Sequence, residues 1–381
     1  MKKILFIIED FRFGGVEVSL INLLNHIDYD KKDYQVSVIT YGTEYDMLSK
    51  LHANNRVKLI RMDQRWLHVL ENVLATIVGT QKAATMKNKV TRYLVVQTAK
   101  RGKYDVIIRY HHAAVKTLFN RLKKRTGQKF ISYYHRSIPS EEYLCERYTR
   151  NCDTVVVCND GCRQNVVNAF PYLEKKLFSL ENLVPYTEIQ AKAISDTVLF
   201  DKKYFNIVTC ARIDSEKGID TAIEACRILA QKDLCIRWYV IGSVTPERPE
   251  YGDYIRGLIR KYDLAETFIL LGGKSNPYPY FTQCDLYVQP SKEEACPLTI
   301  TEVQVCGSPI VATDTIGARA LIQKDQTGCI TENSAEALAE KMYELYCDRE
   351  KLERIKSNVR KLNFAEYNRN ILDRFYRLIE N

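Results

Sequence analysis

No apolar run among the 381 residues approaches the roughly 20 needed to span a bilayer. The opening run, Ile4 to Ile8, sits between Lys2 and Lys3 on one side and Glu9 and Asp10 on the other, too short for the apolar region of a signal peptide. It reads as a buried first strand, and the expected location is cytoplasmic. Glycine and proline number only 16 and 10, with no low-complexity tract, which excludes collagen-like and disordered classes. Neither Gly-x-Gly-x-x-Gly nor a complete phosphate loop, Gly-x-x-x-x-Gly-Lys-Ser/Thr, occurs, so dehydrogenase and phosphate-loop kinase readings fall away.

Other scarcities are local. Histidine is absent beyond residue 135, and His26, His52, His68, His111, His112 and His135 complete the set. Imidazole chemistry therefore belongs to the first part of the chain. Acids nearly vanish from Lys82 to Ser140, where fifteen Lys or Arg accompany one acid, Asp105. That imbalance attracts anions, whether nucleic acid, an anionic membrane face or a pyrophosphate-bearing molecule, and it suits an ordinary solvated basic face equally well. The twelve cysteines are scattered singly, as in a reducing compartment. Cys145, Cys152, Cys158 and Cys162 lack the paired two-residue gaps of structural zinc sites, so no metal is expected.

What is present is alternation. Short β-branched and aromatic runs at Ile4–Ile8, Gln35–Tyr41, Val57–Met62, Tyr104–Tyr110, Phe130–Tyr134 and Thr154–Cys158 are each followed by segments of helical period. The pattern restarts at Phe205–Arg212, with further strands expected at Ile236–Ile241, Thr267–Leu271, Leu286–Gln289 and Pro309–Thr313. The spacing predicts an α/β chain of two doubly wound, Rossmann-like domains, 1–190 and 204–363. A polar linker lies between them from Glu188 to Lys203, and a terminal helix, 364–381, packs back on the first domain. Open α/β sheets bind ligands outside the carboxyl ends of their strands, so the chemistry is expected where two such edges face a common cleft.

Two clusters lie at such edges. Arg212 and Lys217 stand at a strand end and the following loop, just ahead of a helix, and two cations beside a helix N-terminus make an anion site. Glu294 lies in a later strand-end loop, and Glu302 falls one or two turns into the next helix. An ionised carboxylate only accepts hydrogen bonds, which suits vicinal hydroxyls. Taken alone, the first cluster reads sooner as plain surface charge and the second as acids favoured near a helix start.

Together the motifs say more. Arg212-Ile213-Asp214-Ser215-Glu216-Lys217-Gly218, then Glu294, seven residues and Glu302, then Cys306-Gly307-Ser308-Pro309, resembles the family-4 retaining glycosyltransferases. Gly14-Gly15-Val16-Glu17 and the terminal helix match the same family, so the resemblance spans nearly the whole chain. It implies the GT-B architecture and a metal-independent, retaining transfer of a hexosyl group from a nucleotide-diphosphate sugar, UDP- or GDP-linked. The acceptor it implies is a glycan or lipid-linked molecule in bacterial surface polysaccharide or glycolipid assembly. In that reading Arg212 and Lys217 hold the diphosphate with the amides of Leu298 and Thr299, Glu302 holds the ribose, and Glu294 meets the sugar. The stretch Leu270 to Gly273, with Gly272, frames the base. In the first domain Gly15 admits the reacting sugar, His135 lies near it, and Gly14 and His111 face the acceptor. No cofactor is implied.

The sequence departs from the family at Ala295-Cys296-Pro297, where Gly-Phe-Gly is usual, and at Gly317-Ala318-Arg319-Ala320, where an acid is usual. For lone histidines a satisfied structural role competes with substrate contact. Trp66, Val69, Leu70, Val73, Leu74 and Ile77 form an apolar helical stripe just ahead of the basic segment. That stripe is either the core face of a sheet-covering helix or a seat on an anionic bilayer, at the inner face of the plasma membrane. Rival functions are a sugar-nucleotide epimerase or phosphorylase of the same architecture, and a catalytically silent binder of nucleotide-sugar or nucleic acid. Against nucleic acid, Lys129, Tyr133 and Tyr134 are too few for a stacking platform.

Overall fold

The computed structural model describes residues 1–12, 14–53, 55–62, 65–111, 113–195, 200–232, 234–245 and 248–380. His112 and residues 196–199 of the expected linker lie outside the described residues. The chain divides into two compact units, Met1–Leu183 with Arg369–Asn381, and Val184–Asn368.

The first unit is built on seven parallel strands: β1 (Lys2–Ile8), β2 (Tyr34–Thr40), β3 (Val57–Arg61), β4 (Val106–Arg109), β5 (Lys129–Tyr134), β6 (Thr154–Val157) and β7 (Leu177–Ser179). They are ordered β3-β2-β1-β4-β5-β6-β7. The second unit has six: β8 (Phe205–Cys210), β9 (Ile236–Ile241), β10 (Phe268–Gly272), β11 (Leu286–Gln289), β12 (Ile310–Thr313) and β13 (Cys329–Thr331), ordered β10-β9-β8-β11-β12-β13. Helices cover both faces of a parallel sheet, so its inner strands are apolar throughout rather than alternating. Ile4, Leu5, Phe6, Ile7 and Ile8 in β1 are all fully buried, and Leu286, Tyr287 and Val288 in β11 likewise.

Strand order reverses between β1 and β4 in the first sheet, and between β8 and β11 in the second. A crevice opens at each reversal, because the loops leaving the two neighbouring strands run to opposite faces. The segments that flank the crevices are those after β1 and β4 in one unit and after β8 and β11 in the other.

The sequence-based strands all form, but β7 and β13, three residues each at sheet edges, escape a pattern search tuned to longer runs. The division between units falls at 183/184 rather than at 190. The segment expected as linker from Glu188 starts inside a helix, Tyr186–Ala193, whose Ile189 is buried with Val184 and Val305. The last helix, Phe364–Glu380, contributes its later turns to the first unit. There Phe375 stacks on Phe6 at 6.5 Å, and Arg374 pairs with Glu181 at 2.6 Å. Lys2 and Lys129 donate to the helix's final carbonyls, of Ile379 at 2.8 Å and Leu378 at 2.5 Å, complementing the negative end of its dipole.

Two further helices, Arg65–Val78 and Thr80–Arg101, pack against each other around Gly79, whose φ of +86° favours glycine. Leu67 and Ala83 are buried and Lys87 pairs with Glu71 at 2.7 Å, but Trp66, Val69, Val73 and Ile77 are exposed. The stripe of the first helix is therefore not a core face; only Leu70 and Leu74 along its flank are partly covered. Among the described residues no helix is long and apolar enough to cross a membrane.

Candidate functional site

In the second unit the loop after β8 turns through Asp214, whose carboxylate caps the short turn Ser215–Lys217 by accepting from the Glu216 amide at 3.4 Å. It also accepts from Thr245 at 3.2 Å and Arg248 at 3.4 Å. Burial pushes the Asp214 carboxyl up, but these donors and the Arg212 guanidinium more than offset it and hold it below the usual range. Gly218 then adopts φ +64°, and a Cβ there would lie 1.9 Å from the Pro290 carbonyl oxygen. The loop after β8 is thus pressed against the end of β11, and Lys292 N–H donates to Glu216 O at 2.9 Å to lace the two together.

That contact places Lys217 on Glu294. The ammonium lies 2.7 Å from Glu294 Oε1, with side-chain exposures of 20% and 12%. The same oxygen accepts from Ser291 Oγ at 2.9 Å and Gln289 Nε2 at 3.3 Å. Gln289 is held in turn by Tyr287 and Thr299, whose hydroxyls donate to its Oε1 at 2.9 and 3.0 Å. The network links the tip of β11 to the first turn of the helix Leu298–Val305. The amides of Leu298 and Thr299, opening that helix, have no acceptor within it. Arg212 is exposed at the same edge, and its side chain makes no hydrogen bond or ion pair among the described residues.

Glu302 projects from the second turn of this helix, and its negative field is felt at Cys210, at the tip of β8, and at Tyr278 and Tyr287. Burial, reinforced by that carboxylate, pushes the Cys210 thiol up to about 12, so it stays protonated. Gly272 ends β10 at φ +71° and its carbonyl accepts from Gly242 N–H at 3.0 Å. Gly273-Lys274-Ser275 follows, but Phe268 stands where a phosphate loop has its first glycine.

The second unit therefore brings Lys217 and Glu294 into direct contact, joins Thr299 to them through Gln289, and sets Arg212, Gly272 and Glu302 on the same carboxyl edge. Sequence reasoning missed Asp214, Gln289 and Ser291. Polar residues buried at the ends of otherwise apolar strands were the available signal. At the departures from the family pattern, Gly317 N–H donates to Glu294 O at 2.9 Å, and a Cβ on Gly317 would lie 2.4 Å from Pro297. Arg319 pairs with Asp314 at 2.5 Å and points its charge there.

In the first unit Gly15 opens the helix Gly15–His26 after β1, with nothing within 4 Å of where its Cβ would be. A Cβ on Gly14 would lie 2.2 Å from Glu17 Oε2, so Gly14 leaves room for that carboxyl, which burial pushes up to about 7. His135 follows β5: its Nε2 lies 2.9 Å from Tyr110 O and its Nδ1 3.8 Å from Cys158 Sγ, with the ring stacked on Tyr133. Burial, then His111, drive its pKa down to about 3, and burial takes His111 down to about 4. Both rings are neutral at physiological pH. An open depression of about 470 Å³ lies at the amino ends of β5 and β6, lined by Phe119, Phe130, Lys124, Arg150 and Lys176. That is the opposite sheet edge from the switch point.

Residues 190–362 match the family model for glycosyl transferases group 1. Over 192 residues it is 27% identical to a Campylobacter jejuni enzyme, the N-acetylgalactosamine-N,N'-diacetylbacillosaminyl-diphospho-undecaprenol 4-alpha-N-acetylgalactosaminyltransferase, covering 50% of each chain. It is 31% identical over 145 residues to the amylovoran biosynthesis glycosyltransferase AmsK of Erwinia amylovora, covering 35% of this chain and 34% of that one. The chain thus spans about half or less of the length of these curated relatives. Among solved structures, Anabaena HepE in complex with UDP and glucose superposes with a TM-score of 0.73 at 18% identity, over 98% of this chain and 99% of that one. TarM of S. aureus superposes at 0.75 and 15% identity over 100% of both. The chain therefore has the GT-B fold of these structures.

Proposed function

We propose that the protein is a retaining, metal-independent glycosyltransferase that moves a hexosyl group from a UDP- or GDP-sugar to a glycan or lipid-linked acceptor in surface polysaccharide or glycolipid assembly. The observation that carries it is the meeting of Arg212, Lys217, Glu294 and the opening amides of Leu298–Val305 at the switch-point edge of the second unit, within the stretch similar to glycosyl transferases group 1. As the glycosidic bond breaks, negative charge grows on the departing diphosphate. Two fixed cations and aligned amides stabilise that charge without a metal, and are worth most at this transition state.

In this reading Arg212, uncommitted in the free protein, takes the diphosphate first. Lys217 reaches it from its place on Glu294, and Glu294 is turned toward the sugar hydroxyls. Glu302 accepts from the ribose diol, and the backbone at Gly272 lies beside the base. Attack by the acceptor hydroxyl on the face the diphosphate leaves would let a phosphate oxygen take its proton, so only positioning and charge stabilisation are asked of the protein. Neutral His135 and His111 shape the acceptor side with Gly14 and Gly15 rather than carry charge. HepE, with which the chain shares its fold, holds UDP and glucose, which favours a UDP-linked donor. The acceptor of the Campylobacter relative is diphospho-undecaprenol-linked, and a lipid-linked acceptor here would bring a cytoplasmic enzyme to the inner face of the plasma membrane.

A panel of nucleotide-sugars read by thermal shift, with slow donor hydrolysis as second readout, tests the site. One donor is expected to stabilise the wild type but not Arg212→Ala or Glu302→Ala. Equal stabilisation of all three proteins would overturn the assignment.

A further inference from the structure

The carbonyls of the loop after β11 are held from one side. Thr313, which ends β12 and is 1% exposed, brings its hydroxyl to 2.5 Å from Ser291 O and 3.2 Å from Gln289 O. Gly317 N–H donates to Glu294 O at 2.9 Å, and Asn333 Nδ2 donates to Lys292 O at 3.4 Å. These donors all belong to β12 or to the segments after β12 and β13, and β11 lies between β12 and β8. In a trans peptide the N–H points opposite to the preceding carbonyl, and no peptide among the described residues is cis. A carbonyl held on the β12 side therefore turns the next N–H toward β8. Lys292 shows this directly, since its N–H meets Glu216 O at 2.9 Å. The switch-point crevice of this unit opens on that same side.

Gly317 adds a limit of space. Its φ lies outside the left-handed region, so glycine is required there by contact alone. A Cβ would lie 2.4 Å from Pro297 Cδ and 3.1 Å from the carbonyl carbon and oxygen of Ala295. Pro297 is the N-cap of Leu298–Val305, so pressure on its ring displaces the amides that open that helix. The loop after β12 is itself fixed, because Thr315 caps the helix Ile316–Leu321 by accepting from Ala318 N–H at 3.2 Å.

We propose that Thr313 and Gly317 are positioning residues for the transfer: from behind the loop they keep the carbonyls of Ser291 and Glu294 turned away from the crevice in which a departing diphosphate gathers charge. A carbonyl is the negative end of the peptide dipole, and one swung into the crevice would oppose the charge that Arg212 and Lys217 favour. The inference rests on the proposed function for its ligand, and neither residue is assigned a ligand contact there.

Calorimetric titration with UDP against UMP, and with GDP against GMP, separates this role from plain stability, because only the diphosphates carry a distal phosphate. The wild type is expected to bind one diphosphate more tightly than its monophosphate. Thr313→Val keeps the shape and removes the donor, and Gly317→Ala adds one methyl group. Each should lose about tenfold in diphosphate affinity, with monophosphate affinity held within about twofold. Thr313→Ser should restore the affinity, and Pro297→Ala should relieve Gly317→Ala by removing the Cδ that the methyl group meets. If Thr313→Val does not fold, Gly317→Ala and its Pro297→Ala partner carry the test. Equal losses for diphosphate and monophosphate would reduce both residues to a structural role and overturn the inference. Wild-type diphosphate affinity in both single variants would overturn it as well, as would a Thr313→Ser protein of wild-type Tm that lacks the diphosphate preference. A wild type that binds neither UDP nor GDP would sink the proposed function itself.

Discussion

Replacing Lys217 by methionine removes the charge from Glu294 while keeping most of the stem that packs beside it. At 2.7 Å, and with an effective dielectric of about 20, the ion pair is worth roughly 6 kcal/mol of gross Coulomb attraction. Most of this is cancelled by the desolvation of two charges that are largely withdrawn from water. Ser291 and Gln289 still donate to the orphaned Glu294, so the net cost of Lys217→Met is about 2 kcal/mol. For a unit of this size that lowers its Tm by roughly 4–8 °C. Glu294→Gln in the same chain removes the stranded charge, and the double variant is expected to recover at least about half of the loss. Thermal unfolding followed by Trp238 emission in a Trp66→Phe background reads the second unit alone. In both Lys217 variants, donor-induced stabilisation should be absent even where stability returns. A double-mutant coupling below about 0.3 kcal/mol would show that the pair is not energetically formed and that the charge argument for this site is wrong.

Two other perturbations probe the scaffold. Gly218→Ala places a Cβ at φ +64° and against the Pro290 carbonyl, so it should cost the second unit about 2–4 kcal/mol and weaken donor binding by parting the two loops, as denaturant titration and calorimetry would show. His135, with its pKa driven from 6.5 to about 3 by burial, binds fewer protons folded than unfolded between those values. Its contribution is complete above pH 6.5 and lost as pH falls, by about 2 kcal/mol at pH 5 relative to pH 7. Stability measured against pH should lose that part of its acid limb in His135→Gln, and an unchanged limb would mean that the ring titrates normally.

The fold was legible because parallel sheets advertise themselves. Runs such as Ile4–Ile8 and Leu286–Val288 are apolar at every position, and helical stretches separate them. What stayed hidden was short or relational. β7 and β13 carry three residues each, too few for periodicity. The Tyr186–Ala193 helix carries few apolar residues, and its Ile189 is buried with Val305, far along the chain. Arg212, Lys217, Glu294 and Glu302 could be chosen from motif spacing. That Glu294 is gripped by Ser291 and Gln289, or that Lys217 rests on it, depends on how closely Gly218 approaches Pro290, which no one-dimensional pattern encodes. The stripe from Trp66 to Ile77 shows the same limit: its period gave a helix face, and only the three-dimensional surroundings decided that most of that face meets water.

The final helix has a temporal consequence. Phe375 fills a space against Phe6, and Lys2 and Lys129 close on the last carbonyls, so the first sheet is finished by residues translated after the whole of the second unit. On the ribosome, then, the unit that begins first cannot be the one completed first. Until the closing turns emerge, the ring of Phe6 has a missing neighbour, and a released chain ending at residue 368 would hold a complete second unit and an unsealed first one.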